Sequence, residues 1–360
     1  MAADEGARRA GPQVVSVATA LPPHYASQEQ LTGALRGLWT GAHHNIERLE
    51  QLHRAVGVQG RHLALPIEQY AELTSFGARN QAWLRVALDL GEQAVRGALD
   101  RAGLSPRDLD HIFFVTVTGI ATPSLEARLI NRLGLRPDIK RSPLFGLGCV
   151  AGAAGLARAS DYLRAFRDQR ALLLSVELCS LTLQREDVSI ANIIASGLFA
   201  DGAAAVVLTG SERPAPGPRV LATESVFYPD TERVMGWDVV DGGFKVVLSA
   251  KVPQLVIEHI RGDVDRFLGR HGVALADIKH VVAHTGGPKV LQAFEQALEL
   301  REGALARSWA SLNDHGNLSS ASVLFVLGEL LASGEASEGD LGLMVAMGPG
   351  FCAELVLLRW

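Results

Sequence analysis

Short apolar runs bounded by breakers alternate with longer stretches of helical period, and this predicts strands and helices in turn. Val14-Val15-Ser16-Val17-Ala18 reads as a strand, ended by Pro22-Pro23. Ser27 followed by Gln30 is a capping box opening a helix toward Leu38. From Arg79 to Ala102, Ala, Leu, Val and Gly recur at helical spacing, and Gly103 stands where a C-cap belongs. Ala153–Phe166 and Val323–Leu331 are further apolar helices. Lys140-Arg141-Ser142-Pro143 is charged and ends in proline, so it reads as a poor strand.

One pattern occurs twice. Asp108-Leu109-Asp110-His111-Ile112 precedes the apolar strand Phe113–Val117 and then Gly119. Asp277-Ile278-Lys279-His280-Val281 precedes Val282-Ala283 and then Gly286-Gly287. The offset is 169 residues (277 minus 108), about half the chain. Both copies follow an amphipathic helix that stops near a glycine. A half-chain period implies two related halves rather than a solenoid, chance being the alternative for so short a match. Between the halves, Gly210–Pro218 holds Pro214, Pro216 and Pro218, which no central strand or helix interior accommodates. These signals divide the chain into a flexible tail 1–12, an N-terminal half 13–212 and a C-terminal half 219–360. Ala203–Leu208 and Ala353–Leu358 would be equivalent buried strands ending the two halves, in an α/β architecture with a mixed sheet covered by helices.

Composition narrows the class. The 360 residues are 48% hydrophobic and 20% charged, enough apolar material for a large core. A net charge of −5 speaks against a nucleic-acid binder. No apolar run is long enough to span a membrane, and the start, Met-Ala-Ala-Asp-Glu, lacks a secretory h-region. Three cysteines make no disulfide framework, and without CxxC or HExxH no metal site is expected. The adjacent His43 and His44 cannot share one face and fit a solvated loop. These features describe a soluble, cytoplasmic protein.

Small residues crowd around Cys149 in Gly146-Leu147-Gly148-Cys149-Val150-Ala151-Gly152. At the start of a helix its thiolate, the nucleophilic form, would be favoured. The glycines permit a tight turn and close approach of a thioester. By itself Cys149 fits a small buried hydrophobe equally well. Gly146-x-Gly148-x-x-Ala151 also fits a dinucleotide-binding GxGxxA formally, but follows no good strand. His284 ends a buried strand before Gly286-Gly287-Pro288 and could pair with a thiolate, or be a satisfied histidine in a turn. Asn317, in a polar loop opening an apolar helix, is either a cap or a neutral donor for an oxyanion.

Taken together, Gly-Cys149-Val-Ala-Gly, His284-x-Gly-Gly-Pro and Gly-Asn317-Leu-Ser-Ser-Ala-Ser resemble the Cys–His–Asn triad of type III polyketide synthases, the chalcone/stilbene-synthase-like family. Leu198-Phe199-Ala200-Asp201-Gly202 resembles the family's gatekeeper segment, and Met347-Gly348-Pro349-Gly350-Phe351 is similar to its Gly-Phe-Gly-Pro-Gly loop, with Met347 in place of phenylalanine. The resemblance implies a thiolase-like fold, two duplicated αβαβα halves forming five layers, in a homodimer. It implies an acyltransferase that loads an acyl-CoA on Cys149 as thiolate beside an imidazolium of His284. Malonyl-CoA then condenses decarboxylatively, His284 and Asn317 holding the enolate, with coenzyme A thioesters as substrates and no cofactor. Phe199 and Val246 would form the gate, and Val117, Thr118, Cys179, Thr182 and Ser319 the cavity walls. Arg48, Arg54, Arg61, Lys289, Gly286 and Gly287 would bind coenzyme A. Glu177 is family-typical near the catalytic region. Cys179 and Thr118 resemble bacterial synthases that take medium or long acyl primers and make alkylpyrones or alkylresorcinols. The rivals are a ketoacyl-carrier-protein synthase III, whose usual Gln-Ala-Asn after the histidine is replaced here by Thr-Gly-Gly-Pro, and a non-catalytic scaffold, against which the intact triad argues.

Overall fold

The computed structural model describes residues 11–39 and 45–360. His43, His44 and residues 1–10 of the expected tail lie outside the described residues. Gly11 and Pro12 do not belong to a tail. Both are buried, and the Val220 N–H donates to the Pro12 carbonyl at 2.8 Å, which ties them to the sheet.

The N-terminal half runs β1 (Gln13–Ala20), β2 (His24–Ser27), α1 (Gln28–Trp39), α2 (Ile46–Arg54), β3 (Gly60–Leu63), α3 (Phe76–Ala102), β4 (His111–Thr116), α4 (Leu125–Leu133), β5 (Lys140–Phe145), α5 (Ala151–Ala165), β6 (Arg170–Leu178), α6 (Ile190–Leu198) and β7 (Asp201–Thr209). The C-terminal half runs β8 (Arg219–Phe227), β9 (Met235–Val240), β10 (Gly243–Leu248), α7 (Val252–Arg270), β11 (Ile278–Ala283), α8 (Pro288–Ala297), α9 (Ala306–His315), α10 (Ser322–Ser333), β12 (Leu341–Gly348) and β13 (Cys352–Arg359). The expected punctuation is present. Ser27 and Gln30 exchange capping-box hydrogen bonds, and Gly103 ends α3 with φ 64°. The prolines of 210–218 fall between β7 and β8.

The main sheet has the order β11-β12-β13-β8-β1-β7-β6-β4-β5. Its two sides repeat. β4 and β6 are parallel, then β7 and β1 follow antiparallel, and β11-β12-β13-β8 repeats this sequence of directions. Before β4 and before β11, an aspartate carboxylate caps the chain three residues back: Asp108 accepts the Ser105 N–H and Asp277 the Ala274 N–H, each at 2.8 Å. The sides join through one pair, Gln13 with Arg219. β5 corrects the reading of 140–143: it is a strand, parallel to β4. It lies at the sheet edge, where the missing N–H of Pro143 breaks no inner ladder.

Three cores alternate with the two sides of the sheet. α3 covers the outer face of the N-terminal side through Trp83, Ala87, Leu90 and Leu99. α7 and α8 cover the outer face of the C-terminal side through Val256, Phe267, Leu291 and Phe294. Between them α5 and α10 share one core, in which Leu156, Leu163, Val323 and Leu327 meet strands of both halves. Each such fully buried side chain contributes about 1.5–3 kcal/mol. This is the five-layer arrangement, and it buries the N-terminal ends of α5 and α10 against each other at the middle of the molecule.

Candidate active site

Cys149 is the middle residue of a 3-10 turn, Gly148–Val150, that runs directly into α5. Gly148 has φ 57°, and a Cβ there would lie 2.7 Å from Pro349. A Cβ on Gly152 would lie 2.2 Å from the Ser320 carbonyl. These two glycines therefore make room for the protein's own Pro349 ring and Ser320 carbonyl, whereas the sequence suggested room for a thioester. The Cys149 thiol faces Ser319 Oγ at 3.7 Å. His284 follows β11 directly and its N–H donates to Val345 O at 2.9 Å. The imidazole is buried, and its Nδ1 has no hydrogen-bond partner among the described residues. Asn317 bonds through its oxygen: Oδ1 accepts the Ser319 N–H at 2.8 Å and the Ser322 hydroxyl at 3.4 Å. It thus caps the turn Ser319–Ala321 while Nδ2 stays available to the cavity. The two roles weighed for it are compatible.

Cys149, His284 and Asn317 line one small cavity of about 20 Å³ together with Leu198, Phe199, Met235, Leu248, Met347 and Phe351. Its walls are largely apolar, and burial among them disfavours charge. Burial pushes the Cys149 thiol up to about 12, the Glu177 carboxylate adding to the rise and the Ser319 contact opposing it. Burial alone pulls His284 down to about 4. Burial thus works against a charge on either partner, opposing the field of the helix start that led the sequence reading to a thiolate beside an imidazolium.

Phe199 follows α6 and lines this cavity and both neighbours. A second cavity, about 30 Å³, is lined by Cys149, Val117, Cys179, Ser319 and Val246. A larger chamber of about 230 Å³ extends from Phe199, Cys179, Thr182 and Val246 toward Leu31, Leu35, Leu63, Ile67 and Leu183. Thr118 is not on a wall. Its hydroxyl donates to Glu177 Oε2 at 2.8 Å and accepts the Leu178 N–H at 2.9 Å, so it turns toward the buried carboxyl. That carboxyl also accepts the Val117 N–H at 3.1 Å and the Ser320 hydroxyl, and burial raises it to about 7.

The sequence reading missed Trp237. It pairs with Val246 across the β9–β10 hairpin and its ring lies 6.4 Å from that of Phe199. The signal was present: Asp241-Gly242 marks a hairpin turn, and counting outward from it pairs Val246 with Trp237.

Of the residues expected at coenzyme A, Arg48 and Arg54 are exposed on α2, Arg54 beside Glu50 at 3.4 Å, and Lys289 is exposed in the first turn of α8. Gly57 packs on Pro288, which brings the end of α2 beside the start of α8. Gly286 lines the triad's cavity, and Gly287, with φ 126°, abuts Leu198. Arg61 is a correction. It is 2% exposed and lines the larger chamber, and its guanidinium donates to the Ser196 and Gly197 carbonyls and to Gln28 Oε1, so its donors are committed to the protein rather than to a phosphate. Among the described residues there is no metal-binding cluster of His, Cys, Asp or Glu, and no helix is long and apolar enough to cross a membrane.

A duplicated five-layer α/β body with a cysteine, a histidine and an asparagine converging at its centre is the thiolase-like class of condensing enzyme. Family models identify the branch: residues 3–213 match the N-terminal domain and 219–360 the C-terminal domain of chalcone and stilbene synthases. The chain belongs to this family, and it is a type III polyketide synthase, an acyltransferase acting on coenzyme A thioesters. It is 53% identical to 1,3,6,8-tetrahydroxynaphthalene synthase of Streptomyces peucetius subsp. caesius over 97% of this chain and 93% of that one. It is 33% identical to phloroglucinol synthase of Pseudomonas fluorescens over 94% and 96%. The crystal structure of 1,3,6,8-tetrahydroxynaphthalene synthase from Streptomyces coelicolor A3(2) superposes with a TM-score of 0.92 at 33% identity, covering 97% of this chain and 99% of that one.

Proposed function

We propose that this synthase condenses malonyl-CoA, as starter and extender, into an unsubstituted polyhydroxylated aromatic of the tetrahydroxynaphthalene class. The observation that carries this is the 53% identity, along nearly the whole chain, to a synthase of that name. A malonyl starter and four two-carbon extensions give eleven carbons; loss of the starter's carboxyl as carbon dioxide leaves the ten ring carbons of a naphthalene with four hydroxyls, which retains nothing of a fatty acyl primer. Trp237 beside Phe199 supports a narrow entrance suited to small acyl groups.

Cys149 Sγ attacks the thioester carbonyl as its proton passes to His284, and coenzyme A leaves carrying a proton. A second malonyl-CoA loses carbon dioxide. The electron pair left behind spreads onto the thioester oxygen, where His284 and Asn317 Nδ2 donate hydrogen bonds. The carbanion attacks the acyl carbon, a carbon–carbon bond forms, and the bond to Cys149 breaks. Phe199 and Val246 form the gate that keeps water out. Val117, Cys179, Thr182 and Ser319 shape the cavity, and Arg48, Arg54 and Lys289 hold the phosphates while Gly286 and Gly287 flank the path inward.

A second reading, a medium- or long-chain acyl starter giving an alkylpyrone or alkylresorcinol, is favoured by the chamber walls Leu31, Leu35, Leu63, Ile67 and Leu183. A buried chain gains about 0.8 kcal/mol per methylene there. Mass spectrometry separates the two. Malonyl-CoA alone should yield the ten-carbon tetrahydroxylated product. Product formed only when octanoyl- to stearoyl-CoA is added would reject malonyl priming.

A homodimer fits the edge strand β5, with Phe145 51% and nearby Ile120 47% exposed. Light scattering at micromolar concentration should give twice the chain mass. Cys149, Cys179 and Cys352, all unpaired, fit a cytoplasmic setting.

A further inference from the structure

We propose that Arg61 is a positioning residue that sets Phe199 and Asn317 together by clamping the end of α6. The inference rests on the reading that those two residues serve malonyl decarboxylation. α6 ends in Ser196-Gly197-Leu198, and Phe199 comes next. The last carbonyls of a helix lack partners within it. Here each is claimed from outside. Arg61 donates Nη2 to the Ser196 carbonyl and Nη1 to the Gly197 carbonyl. Gln28 Nε2 donates to the same Gly197 oxygen at 3.2 Å, and Gln28 Oε1 accepts from Arg61 at 3.0 Å. The Leu198 carbonyl accepts the Asn317 N–H at 2.8 Å, and the Ala200 N–H donates to the Asn317 carbonyl at 2.9 Å.

Phe199 and Asn317 thereby form an isolated parallel bridge between the halves of the chain. It has no slack: a Cβ on Gly316 would stand 2.9 Å from the Leu198 carbonyl. A shift of the α6 end moves the gate ring and the Asn317 backbone as one. A guanidinium suits the clamp, since its planar fork reaches two carbonyls at once and its charge complements the helix C-terminus. Burial lowers Arg61 only to about 10, so the charge persists at neutral pH, with buried Asp201 nearby as its counter-charge.

Arg61→Lys keeps the charge but loses the planar fork that fixes both carbonyls at once. Active sites are counted by the burst of acyl-Cys149, which removes misfolded protein from every rate. Acyl loading per site should stay within about twofold of wild type, while malonyl-CoA decarboxylation per site falls about tenfold, the loss residing in kcat. Combined with Phe199→Ala, the loss should be smaller than the product of the single losses. A merely structural Arg61 would lower Tm and burst amplitude yet leave the per-site decarboxylation rate at wild type. That result, or losses that multiply fully, overturns the proposal. If Arg61→Lys does not fold, Gln28→Ala, which removes one of the two donors to the Gly197 carbonyl and the acceptor that holds Arg61 Nη1, should slow decarboxylation about threefold with the same non-additivity, and an unchanged rate rejects the clamp. Phe199→Ala and Asn317→Ala are run alone alongside. If neither slows decarboxylation, the fault lies in the reading of those two residues, and the clamp falls with it. If they do and Arg61→Lys does not, only the clamp fails.

Discussion

The turn Gly148–Val150 leads into α5, and the turn Ser319–Ala321 leads into α10. Each begins on a left-handed residue, Gly148 at φ 57° and Ser319 at φ 50°. Glycine takes that conformation freely, whereas a serine held there costs about 1–3 kcal/mol, offset in part by the bond from its N–H to Asn317. The strand ends diverge in the same way. At the repeat offset His284 corresponds to Val115, a core residue. His111 pairs with Ala171 and His280 with Gly342, so six residues further on Glu177 corresponds to Gly348. One half places a buried carboxyl where the other has a glycine packed on Val150. The duplicated scaffold delivers two equivalent sets of positions to one centre. The copies fill them unequally: a sulfur from one side, an imidazole and a carboxamide from the other.

Removing the sulfur breaks this division most completely. Cys149→Ala should abolish acyl-enzyme and polyketide, a loss of at least about 10³-fold, while malonyl-CoA decarboxylation continues on the C-terminal half's donors. Carbon dioxide release and product are measured in parallel, and equal loss of both would contradict the division. His284→Ala and Asn317→Ala attack the other side. Each should slow decarboxylation by about 10²–10³, with Asn317→Ala leaving acyl loading nearly intact.

The sequence makes the repeat and the triad legible because both depend on local signals. A capping aspartate before an apolar strand, a cysteine opening a small-residue helix and a histidine closing a strand are each written within about ten residues. What stayed hidden depends on walls brought together from afar. The burial that works against charge on Cys149 and His284 follows from Met235, Leu248 and Met347 meeting around them. Arg61 looks like any surface cation until folding buries it against the end of α6. Thr118 reads as a wall residue from its distance to Cys149 along the chain, but its direction is set by Glu177, on a different strand. β5 escaped because an edge strand tolerates the charge and proline that exclude a central one.

Gly348 tests the comparison through packing. A Cβ there would meet Val150 N at 2.7 Å and Val150 Cβ at 3.0 Å, both on the turn that carries Cys149. Gly348→Ala should destabilise by about 1–3 kcal/mol in equilibrium denaturation. The exposed helical Gly262, with nothing within 4 Å, is the control: Gly262→Ala should be neutral or stabilising by about 0.4–1 kcal/mol. Equal effects at the two sites would mean that the centre repacks freely and the close fit carries no cost.

The smallest effect concerns Glu177, and its sign is fixed. Burial raises its pKa from 4.5 to about 7, so the folded state prefers the protonated carboxyl. Its stabilisation is full below about 4.5 and is lost as pH rises through about 7. His284 acts in the opposite sense. Lowered from 6.5 to about 4, it contributes stability above 6.5 that is lost as pH falls through about 4. The two slopes oppose each other in wild type between about 4.5 and 6.5, which a single melting profile would conceal. Glu177→Gln separates them. A glutamine mimics the protonated acid, its oxygen accepting from Val117 and Thr118 and its amide donating to Ser320, whose hydroxyl can turn to Ser175 Oγ at 2.8 Å. At about pH 5 variant and wild type should melt together. At about pH 8 the variant should melt a few degrees higher, because only wild type then carries a buried charge. A variant that melts lower at pH 8 would show that the carboxylate is stabilised where it sits, and that this side of the centre holds its charge as readily as the other avoids one.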